Sequence, residues 1–144
     1  MYLKKAKKED LKTFYTMSLQ THIVKNLNIK SLIQFQNEFS DEATLFLCVM
    51  HDDSIAGYII LVLETEEVQL KRIVIDEGYL GLGSKAILLV EQYILLDLGK
   101  EKLWLDVYAD NARAVHLYEK LGYVRYNKGM ENHREVWFYR KNLG

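Results

Sequence analysis

The chain has 144 residues, of which 49% are apolar or aromatic and 27% are charged, and its formal net charge is −1. This length is typical of one domain, here 1–144, and the charge balance argues against nucleic acid as a partner. The longest apolar stretches, "SIAGYIILVL" and "AILLVEQYILLDL", are short or interrupted by charge, which argues against a membrane span. Cys48 is the only cysteine, so no internal disulfide can form and we expect a cytoplasmic protein.

The first half of the chain predicts a strand, two helices and three further strands. A short strand is predicted in "YLKKA", and apolar residues at helical spacing follow Asp10. A second helix is predicted within 22–39. The period changes at Thr44, where two β-rich runs are joined by Asp52 and Asp53, a hairpin signal. "EVQLKRIVI" then completes three consecutive antiparallel strands.

The second half alternates helices and strands. An apolar helix is predicted at 81–98, with Gly99 as its C-terminal stop. A strand in "KLWLDVYA" follows, then a helix capped by Asp110 or Asn111, and then one or two strands ending in "EVWFYRKN". This order predicts an α+β fold with one mixed, mostly antiparallel central sheet flanked by helices.

A loop with three glycines, "DEGYLGLGSKA", precedes the helix at 81–98. Its order G-x-x-G-x-G differs from the dinucleotide fingerprint G-x-G-x-x-G. A Walker A loop has lysine before Ser or Thr, whereas Gly83 is followed by Ser84 and then Lys85. That exchange turns both side chains by about 100° away from phosphates and magnesium. A tight turn without ligand and an imitation P-loop stay open, but a diphosphate held by backbone N–H groups at the helix N-terminus, as in coenzyme A, is favoured.

A second motif lies in "LDVYADNARAVHLYEKLGY". Asn111, Ala114 and Tyr118 are spaced i, i+3 and i+7, which places them on one face of a helix within about 10.5 Å. An amide, a small residue and a phenol would therefore face the same way. Tyr118 as an ordinary core aromatic is the alternative explanation.

Together, the two motifs resemble those of the GNAT superfamily of acetyl-CoA-dependent N-acetyltransferases. The family pattern [RQ]-x-x-G-x-[GA] falls at 78–83, and N-x-x-A-x-x-x-Y-x-x-x-G-[FY] begins at Asn111 and ends at Tyr123. "LKRIVI" resembles the branch that contains ribosomal-protein N-acetyltransferases. The family has Arg or Gln at the position of Gly78 and often glycine at the position of Tyr79. Because Gly78 has no side chain that could contact the diphosphate, we expect weaker cofactor binding.

The resemblance implies transfer of the acetyl group of acetyl-CoA directly to a primary amine of a small molecule, peptide or protein, without a metal. It implies a cofactor site in a V-shaped opening between two strands. The implied cofactor-binding residues are Ile73, Val74, Ile75, Gly78, Tyr79, Leu80, Gly81, Leu82, Gly83, Ser84, Asn111, Ala114 and Tyr118.

Two catalytic residues follow from the same resemblance. Tyr118 matches the family's general acid, which protonates the departing thiolate. Glu67 falls where some members place a glutamate base, with Glu64 or Glu66 acting through water as alternatives; a solvated charge at a hairpin explains Glu67 equally well. The four histidines show no metal-binding spacing.

The amine acceptor stays open at this point. The segments expected to contact it are 15–40, 64–67 and 125–134, and the family permits a homodimer. A non-catalytic acyl-CoA-binding module is the alternative function, because Gly78 and Tyr79 depart from the motif and the base is uncertain.

Overall fold

The computed structural model of the protein describes residues 1–27 and 31–144, so the segment predicted at 15–40 falls partly outside the described residues. The described helices are α1 Leu11–Ser18, α2 Thr21–Val24, α3 Leu32–Ser40, α4 Gly83–Leu96 and α5 Ala112–Lys120. The strands are β1 Tyr2–Lys5, β2 Thr44–His51, β3 Ser54–Leu63, β4 Val68–Ile75, β5 Lys102–Tyr108, β6 Val124–Glu131 and β7 Arg134–Asn142. Short 3-10 turns lie at Lys8–Asp10 and Glu77–Tyr79.

Within the described ranges, the seven strands form one sheet in the order β1-β2-β3-β4-β5-β7-β6. All neighbouring strands are antiparallel except β4 and β5, which are parallel. The predicted mixed, mostly antiparallel sheet is therefore confirmed. Within this part of the chain, no helix is long and apolar enough to cross a bilayer.

Tight turns join the strands of two hairpins, β2–β3 and β6–β7. Asp52 and Asp53 have φ of 50° and 63°, the left-handed conformation that a two-residue hairpin turn requires, which confirms the predicted hairpin. Asn132 and His133 adopt the same conformation, with φ of 53° and 62°, between β6 and β7. The second turn was not predicted, because Asn-His lacks the glycine of the usual hairpin signal.

The sheet buries a hydrophobic cluster on each face. One cluster packs α4 and α5 against the sheet, with Ile87, Val90, Ile94 and Leu105 almost fully buried. The other packs α1 and α3 on the opposite face through Phe14, Phe35 and Tyr58, all three fully buried. Because side chains alternate along a strand, burial of Leu103, Leu105 and Val107 under the helices leaves Trp104, Asp106 and Tyr108 on the other face of β5.

β4 and β5 are paired only at their beginnings. The register joins Val68 to Leu103 and Gln69 to Trp104, and no further pair follows in the described chain. The two strands therefore diverge toward their carboxyl ends, as the resemblance implies. This divergence opens the middle of the sheet between Ile75 and Tyr108, where the candidate site lies.

Candidate functional site

A cleft of about 760 Å³ lies between the diverging ends of β4 and β5. It is lined by β4, the glycine loop and the first turn of α4 on one side, and by β5 and α5 on the other. Its lining includes many of the residues that the sequence pointed to, namely Ile73, Val74, Ile75, Leu80, Gly81, Gly83, Ser84, Asn111, Ala114 and Tyr118.

The free edge of β4 exposes its backbone to this cleft. The amide of Asp76 donates to the carbonyl of Ala56 on β3 at 2.8 Å. Because backbone groups alternate in direction along a strand, those of Val74 also face β3, whereas those of Ile73 and Ile75 face the opening. The His22 ring is hydrogen-bonded to the Ile75 carbonyl at 2.9 Å. Ile73 is therefore the residue whose backbone groups are best placed to pair with a bound ligand.

The carboxylate of Asp76 organises the start of the glycine loop. The side-chain Oδ2 of Asp76 accepts a hydrogen bond from the Gly78 amide at 3.0 Å, and its backbone carbonyl oxygen accepts one from the Tyr79 amide at 2.9 Å. The Gly78 and Tyr79 amides are thus engaged within the loop, and neither residue is among those that line the cleft. The Tyr79 ring instead contacts His51, with 5.8 Å between ring centroids.

The second part of the loop presents backbone to the cleft. The amides of Leu80 and Gly81 donate no hydrogen bond within the described part of the chain. Gly81 has a φ of +102°, which L side chains rarely adopt. The Leu82 amide donates to the Tyr79 carbonyl at 3.3 Å, and Leu82 caps α4 without a side-chain hydrogen bond. The uncapped N-terminus of a long helix next to free amides is suited to an anionic group such as a diphosphate.

α5 brings its motif to the opposite wall of the cleft. Asn111 is the N-cap of the helix, and its Oδ1 accepts from the Ala114 amide at 3.4 Å. Tyr118 lies two turns further along and is buried, with 7% of its surface exposed. All three motif residues line the cleft, although the Asn111 side-chain oxygen is engaged in capping.

A partly buried network holds the Tyr118 ring. The Tyr123 ring packs edge-on against it with 5.6 Å between centroids, and the Tyr123 hydroxyl donates to Glu91 at 2.7 Å. Glu91 in turn accepts from the Lys141 ammonium at 3.0 Å. The chain turns back at Gly122, whose φ of +94° lets the Tyr123 amide donate to the Tyr118 carbonyl. The ring is therefore held in place at the cleft wall.

The Tyr118 hydroxyl has no hydrogen-bond partner among the described residues. Burial raises the pKa of Tyr118 well above its ordinary value, and the nearby Asp106 carboxylate raises it further. Tyr118 is consequently a neutral phenol that has its proton to donate.

Asp106 is the site residue that the sequence analysis missed. It lies in the middle of β5, lines the cleft, and has no ion-pair partner in the described chain. Burial raises the pKa of Asp106, and the charge of Glu131, which also lines the cleft, raises it further. A half-buried carboxylate with a raised pKa and no counter-charge is typical of a functional site. The strand alternation of "KLWLDVYA" already puts Asp106 on the face opposite Leu105, but only the divergence of β4 and β5 exposes it to the cleft.

Glu67 lies just before β4 and is not among the cleft-lining residues. Its carbonyl accepts from the Glu64 amide at 3.0 Å in the turn between β3 and β4. Burial raises the pKa of the Tyr126 hydroxyl, the nearby Arg140 guanidinium opposes this shift, and the charges of Glu67, Asp106 and Glu64 add to it. These carboxylates therefore share the open face of the sheet, with Asp106 at the cleft and Glu67 outside it. The described residues contain no cluster of three or more side chains suited to a metal ion.

Comparison with known proteins agrees with this arrangement. Residues 8–123 match the acetyltransferase (GNAT) family. Spermidine N-acetyltransferase from Vibrio cholerae, solved with CoA and spermine, superposes with a TM-score of 0.83 at 18% identity, covering 98% of this chain and 94% of that chain. Aminoglycoside acetyltransferase AAC(6')-Ib in complex with coenzyme A gives a TM-score of 0.83 at 19% identity, covering 98% and 94% of the two chains. At these identities the structural similarity establishes the fold, and the family match covers most of the chain.

Proposed function

Because this chain belongs to the acetyltransferase (GNAT) family, we propose the part that each residue of the cleft takes in the family's reaction. The protein is an acetyl-CoA-dependent N-acetyltransferase that transfers the acetyl group to an amine. The observation that carries the assignment of residues is that the glycine loop and the unpartnered Tyr118 hydroxyl meet in one cleft where β4 and β5 diverge.

The glycine-loop side of the cleft fits coenzyme A. The free amides of Leu80 and Gly81 and the N-terminus of α4 would hold the diphosphate, with Gly83 and Ser84 leaving room for its approach. The outward-facing backbone of Ile73 would pair with the pantetheine arm. Val74, Gly78, Tyr79 and Leu82 would support this wall through the β-sheet pairing and the loop hydrogen bonds described above. Bound acetyl-CoA supplies a thioester carbonyl, which an amine can attack.

Tyr118 is proposed as the general acid. A thiol has a pKa of about 8.5, whereas burial holds the Tyr118 phenol above its ordinary pKa near 10. The phenol therefore stays protonated throughout the physiological range and can donate a hydrogen bond or a proton to a departing thiolate. Asn111 and Ala114 would shape the same wall, the first by capping α5 and the second by its small size.

Asp106 is proposed to hold the acceptor's amino group and to receive its proton. An aliphatic amine is mostly protonated at neutral pH and must lose a proton before it attacks. Asp106 lines the cleft close enough to Tyr118 to raise the pKa of that residue, and a raised carboxylate pKa makes a stronger base. Glu67 remains the second candidate for the base, acting from the open face outside the cleft. Paired variants of the two residues distinguish them.

The acceptor is proposed to be an amine that carries at least one further positive charge. Asp106 and Glu131 are carboxylates in the cleft without a counter-ion among the described residues, and Glu64 and Glu67 lie on the adjoining open face. The negative potential of these carboxylates attracts cations. A cationic acceptor agrees with two structurally similar proteins, one solved in complex with spermine and the other, the AAC(6')-Ib enzyme, in complex with paromomycin.

The function is tested by following thiol release from acetyl-CoA across a panel of amines. The panel contains polyamines, aminoglycosides, peptides with a free N-terminus and single amino acids. A thiol reagent can be used directly, because the only cysteine, Cys48, is fully buried. Turnover that is fastest with polycationic amines is expected. Tight acetyl-CoA binding without turnover of any amine would point to the acyl-CoA-binding module, and stabilisation by ATP with magnesium in place of acetyl-CoA would point to the P-loop.

A homodimer is a further part of the proposal. β6 is an edge strand of the sheet, and Val124 and Met130 on it are 68% and 71% exposed. An exposed edge of this kind can pair with a second copy. Light scattering coupled to size exclusion measures the mass directly.

A further inference from the structure

Arg134, the first residue of β7, joins two segments that both contribute to the cleft wall. Its Nη1 donates to the Lys25 carbonyl at 2.9 Å, and its Nη2 donates to the Asn26 side-chain oxygen at 3.1 Å. The same Nη2 also donates to the carboxylate of Asp110, the residue just before the N-cap of α5. One guanidinium therefore ties the segment that follows α2 to the turn between β5 and α5.

The Arg134 guanidinium also lies on the Tyr108 ring, with 3.6 Å between its carbon Cζ and the ring centroid. The Tyr108 hydroxyl accepts a hydrogen bond from the Asn132 side-chain amide at 3.0 Å. Asn132 lies in the turn between β6 and β7. The last residue of β5 is therefore held by two side chains of the β6–β7 hairpin.

The residues that surround Arg134 line the cleft, whereas Arg134 itself does not. Asn26 and the adjoining Leu27 line the cleft from the segment after α2, and Tyr108 and Asn111 line it from the β5–α5 turn. Arg134 is not among the lining residues. The guanidinium thus supports the wall from behind and is placed to position it, with no contact to a ligand in the cleft.

This wall belongs to the face of the sheet on which Asp106 lies. Ile23 of α2 and the following Leu27 pack in the hydrophobic cluster of α1 and α3, whereas α4 and α5 pack on the other face. Tyr108 shares its face of β5 with Asp106, because residues two apart in a strand point the same way. Arg134 therefore supports the part of the cleft that faces the proposed amine site, away from the glycine loop.

The contacts of Arg134 need the forked shape of a guanidinium. Isolated ion pairs at a surface contribute little, and the side chains of Arg134 and Asp110 are 29% and 67% exposed. A planar guanidinium can donate to a carbonyl, an amide oxygen and a carboxylate at once, in fixed directions, while its face lies on an aromatic ring. A lysine ammonium has no such fork. The arrangement therefore fixes the relative position of two segments more than it stabilises the fold by charge.

We propose that Arg134 is a positioning residue for the amine acceptor. It holds Asn26 and Leu27 against the β5–α5 turn and so sets the width of the cleft beside Asp106, which selects amines by their shape. This inference rests on the proposed function, because that function assigns the Asp106 side of the cleft to the acceptor. It adds a specificity-determining residue that lies outside both sequence motifs.

Steady-state kinetics of Arg134→Gln with the best amine of the panel test this role. We expect the KM of the amine to rise by about tenfold, kcat to stay within about twofold and the calorimetric CoA affinity to be unchanged, because only the acceptor wall moves. Loss of the positive charge by itself would act in the opposite direction, since it would strengthen the attraction of the cleft for a cationic amine. Arg140→Gln is the matched control, because Arg140 lies on the same strand over the Tyr126 ring at 4.1 Å and does not line the cleft.

Two further variants separate geometry from charge. Arg134→Lys keeps the charge without the fork, and most of the rise in KM should remain. The double variant Arg134→Gln/Asp110→Asn should be no worse than Arg134→Gln, because the two side chains act through one contact, whereas independent charge effects would cancel.

Asp110→Asn alone tests the role even if Arg134→Gln does not fold. It removes one arm of the fork at an exposed position, and we expect a smaller rise in the KM of the amine. That rise should persist at high salt, which screens a purely electrostatic effect. A rise that disappears at high salt would contradict the positioning role.

An unchanged or lowered KM in Arg134→Gln, a rise matched by Arg140→Gln, or full recovery in Arg134→Lys overturns the proposal. A weaker CoA affinity with an unchanged KM of the amine also overturns it, because that result would place Arg134 at the cofactor wall. Failure of the wild-type chain to turn over any amine would instead overturn the proposed function on which the inference rests.

Discussion

The Gln20 side chain bridges the end of α1 to the start of the glycine loop through Asp76. Its Nε2 donates to Asp76 Oδ1 at 2.7 Å, and its Oε1 accepts from the Glu77 amide at 3.0 Å. The other carboxylate oxygen of Asp76 accepts from the Gly78 amide. One carboxylate thus links the segment that follows α1 to the loop that would bind the diphosphate.

Asp76→Ala is expected to loosen this loop. It removes a turn-capping carboxylate, which costs about 1 kcal/mol of stability, and we expect CoA to bind several-fold more weakly. Asp41→Ala is the matched control, because Asp41 Oδ1 caps the Ala43 amide at 2.9 Å away from the cleft. Thermal melts and CoA titrations of both variants test this. Equal CoA affinities in the two variants would show that Asp76 stabilises the fold without shaping the site.

Tyr118→Phe removes the proposed acid while keeping the buried ring. Because the Tyr118 hydroxyl has no hydrogen-bond partner among the described residues, the melting temperature should change little. We expect kcat to fall by roughly 100-fold or more and CoA affinity to be unchanged. Steady-state thiol release with the best amine of the panel measures this. Tyr93→Phe is the control, since Tyr93 lies on α4 and does not line the cleft; an undiminished kcat for Tyr118→Phe would remove Tyr118 as the acid.

Asp106→Asn and Glu67→Gln decide between the two candidate bases. We expect Asp106→Asn to lower kcat by about 100-fold and Glu67→Gln to change mainly the KM of cationic amines. In the wild-type chain, kcat should fall in acid with an apparent pKa above the usual Asp value near 3.9, because the pKa of Asp106 is raised. A large loss of kcat in Glu67→Gln alone would reverse the assignment.

The same carboxyl makes a prediction for stability. The folded state holds the Asp106 proton more tightly than the unfolded chain does, so stability falls as the pH rises from the unfolded pKa near 3.9 to the higher folded pKa. At pH values above the folded pKa of Asp106, the buried carboxylate charge lowers the free energy of unfolding by a constant amount. Asp106→Asn should therefore raise the melting temperature at neutral pH, and the gain should vanish in acid. A variant that is less stable at every pH would show that the carboxylate is paired in the folded protein.

Gly57→Ala on β3 is expected to displace β4, the neighbouring strand that forms one wall of the cleft. A Cβ at Gly57 would lie 2.2 Å from the Val74 carbonyl oxygen, and backbone must move to accept it. We expect a loss of about 1–3 kcal/mol and weaker CoA binding, since Val74 lies between Ile73 and Ile75. Gly129→Ala on β6 is the control, because its Cβ would meet Phe138 at an ordinary 3.5 Å. Denaturant unfolding and calorimetry compare the two, and equal stabilities would contradict the close approach of β3 and β4.

The sequence by itself determined the features that depend on neighbours along the chain. Glycine spacing predicted the loop at 76–86, and helical spacing placed Ala114 and Tyr118 on one face, because both follow from local backbone geometry. The hairpin at Asp52 and most of the order of helices and strands were predicted for the same reason. The exception is the single helix predicted within 22–39, where the structure has two separate helices, α2 and α3.

The tertiary structure alone decided what depends on contacts between distant segments. Asp106 enters the cleft because β4 and β5 separate after Gln69, which no local pattern encodes. Glu67 lies after the β3 strand and outside the cleft-lining residues, although the family resemblance suggested it as a base. Such contacts arise from long-range strand pairing and helix packing, and these bring together residues that are far apart in the chain.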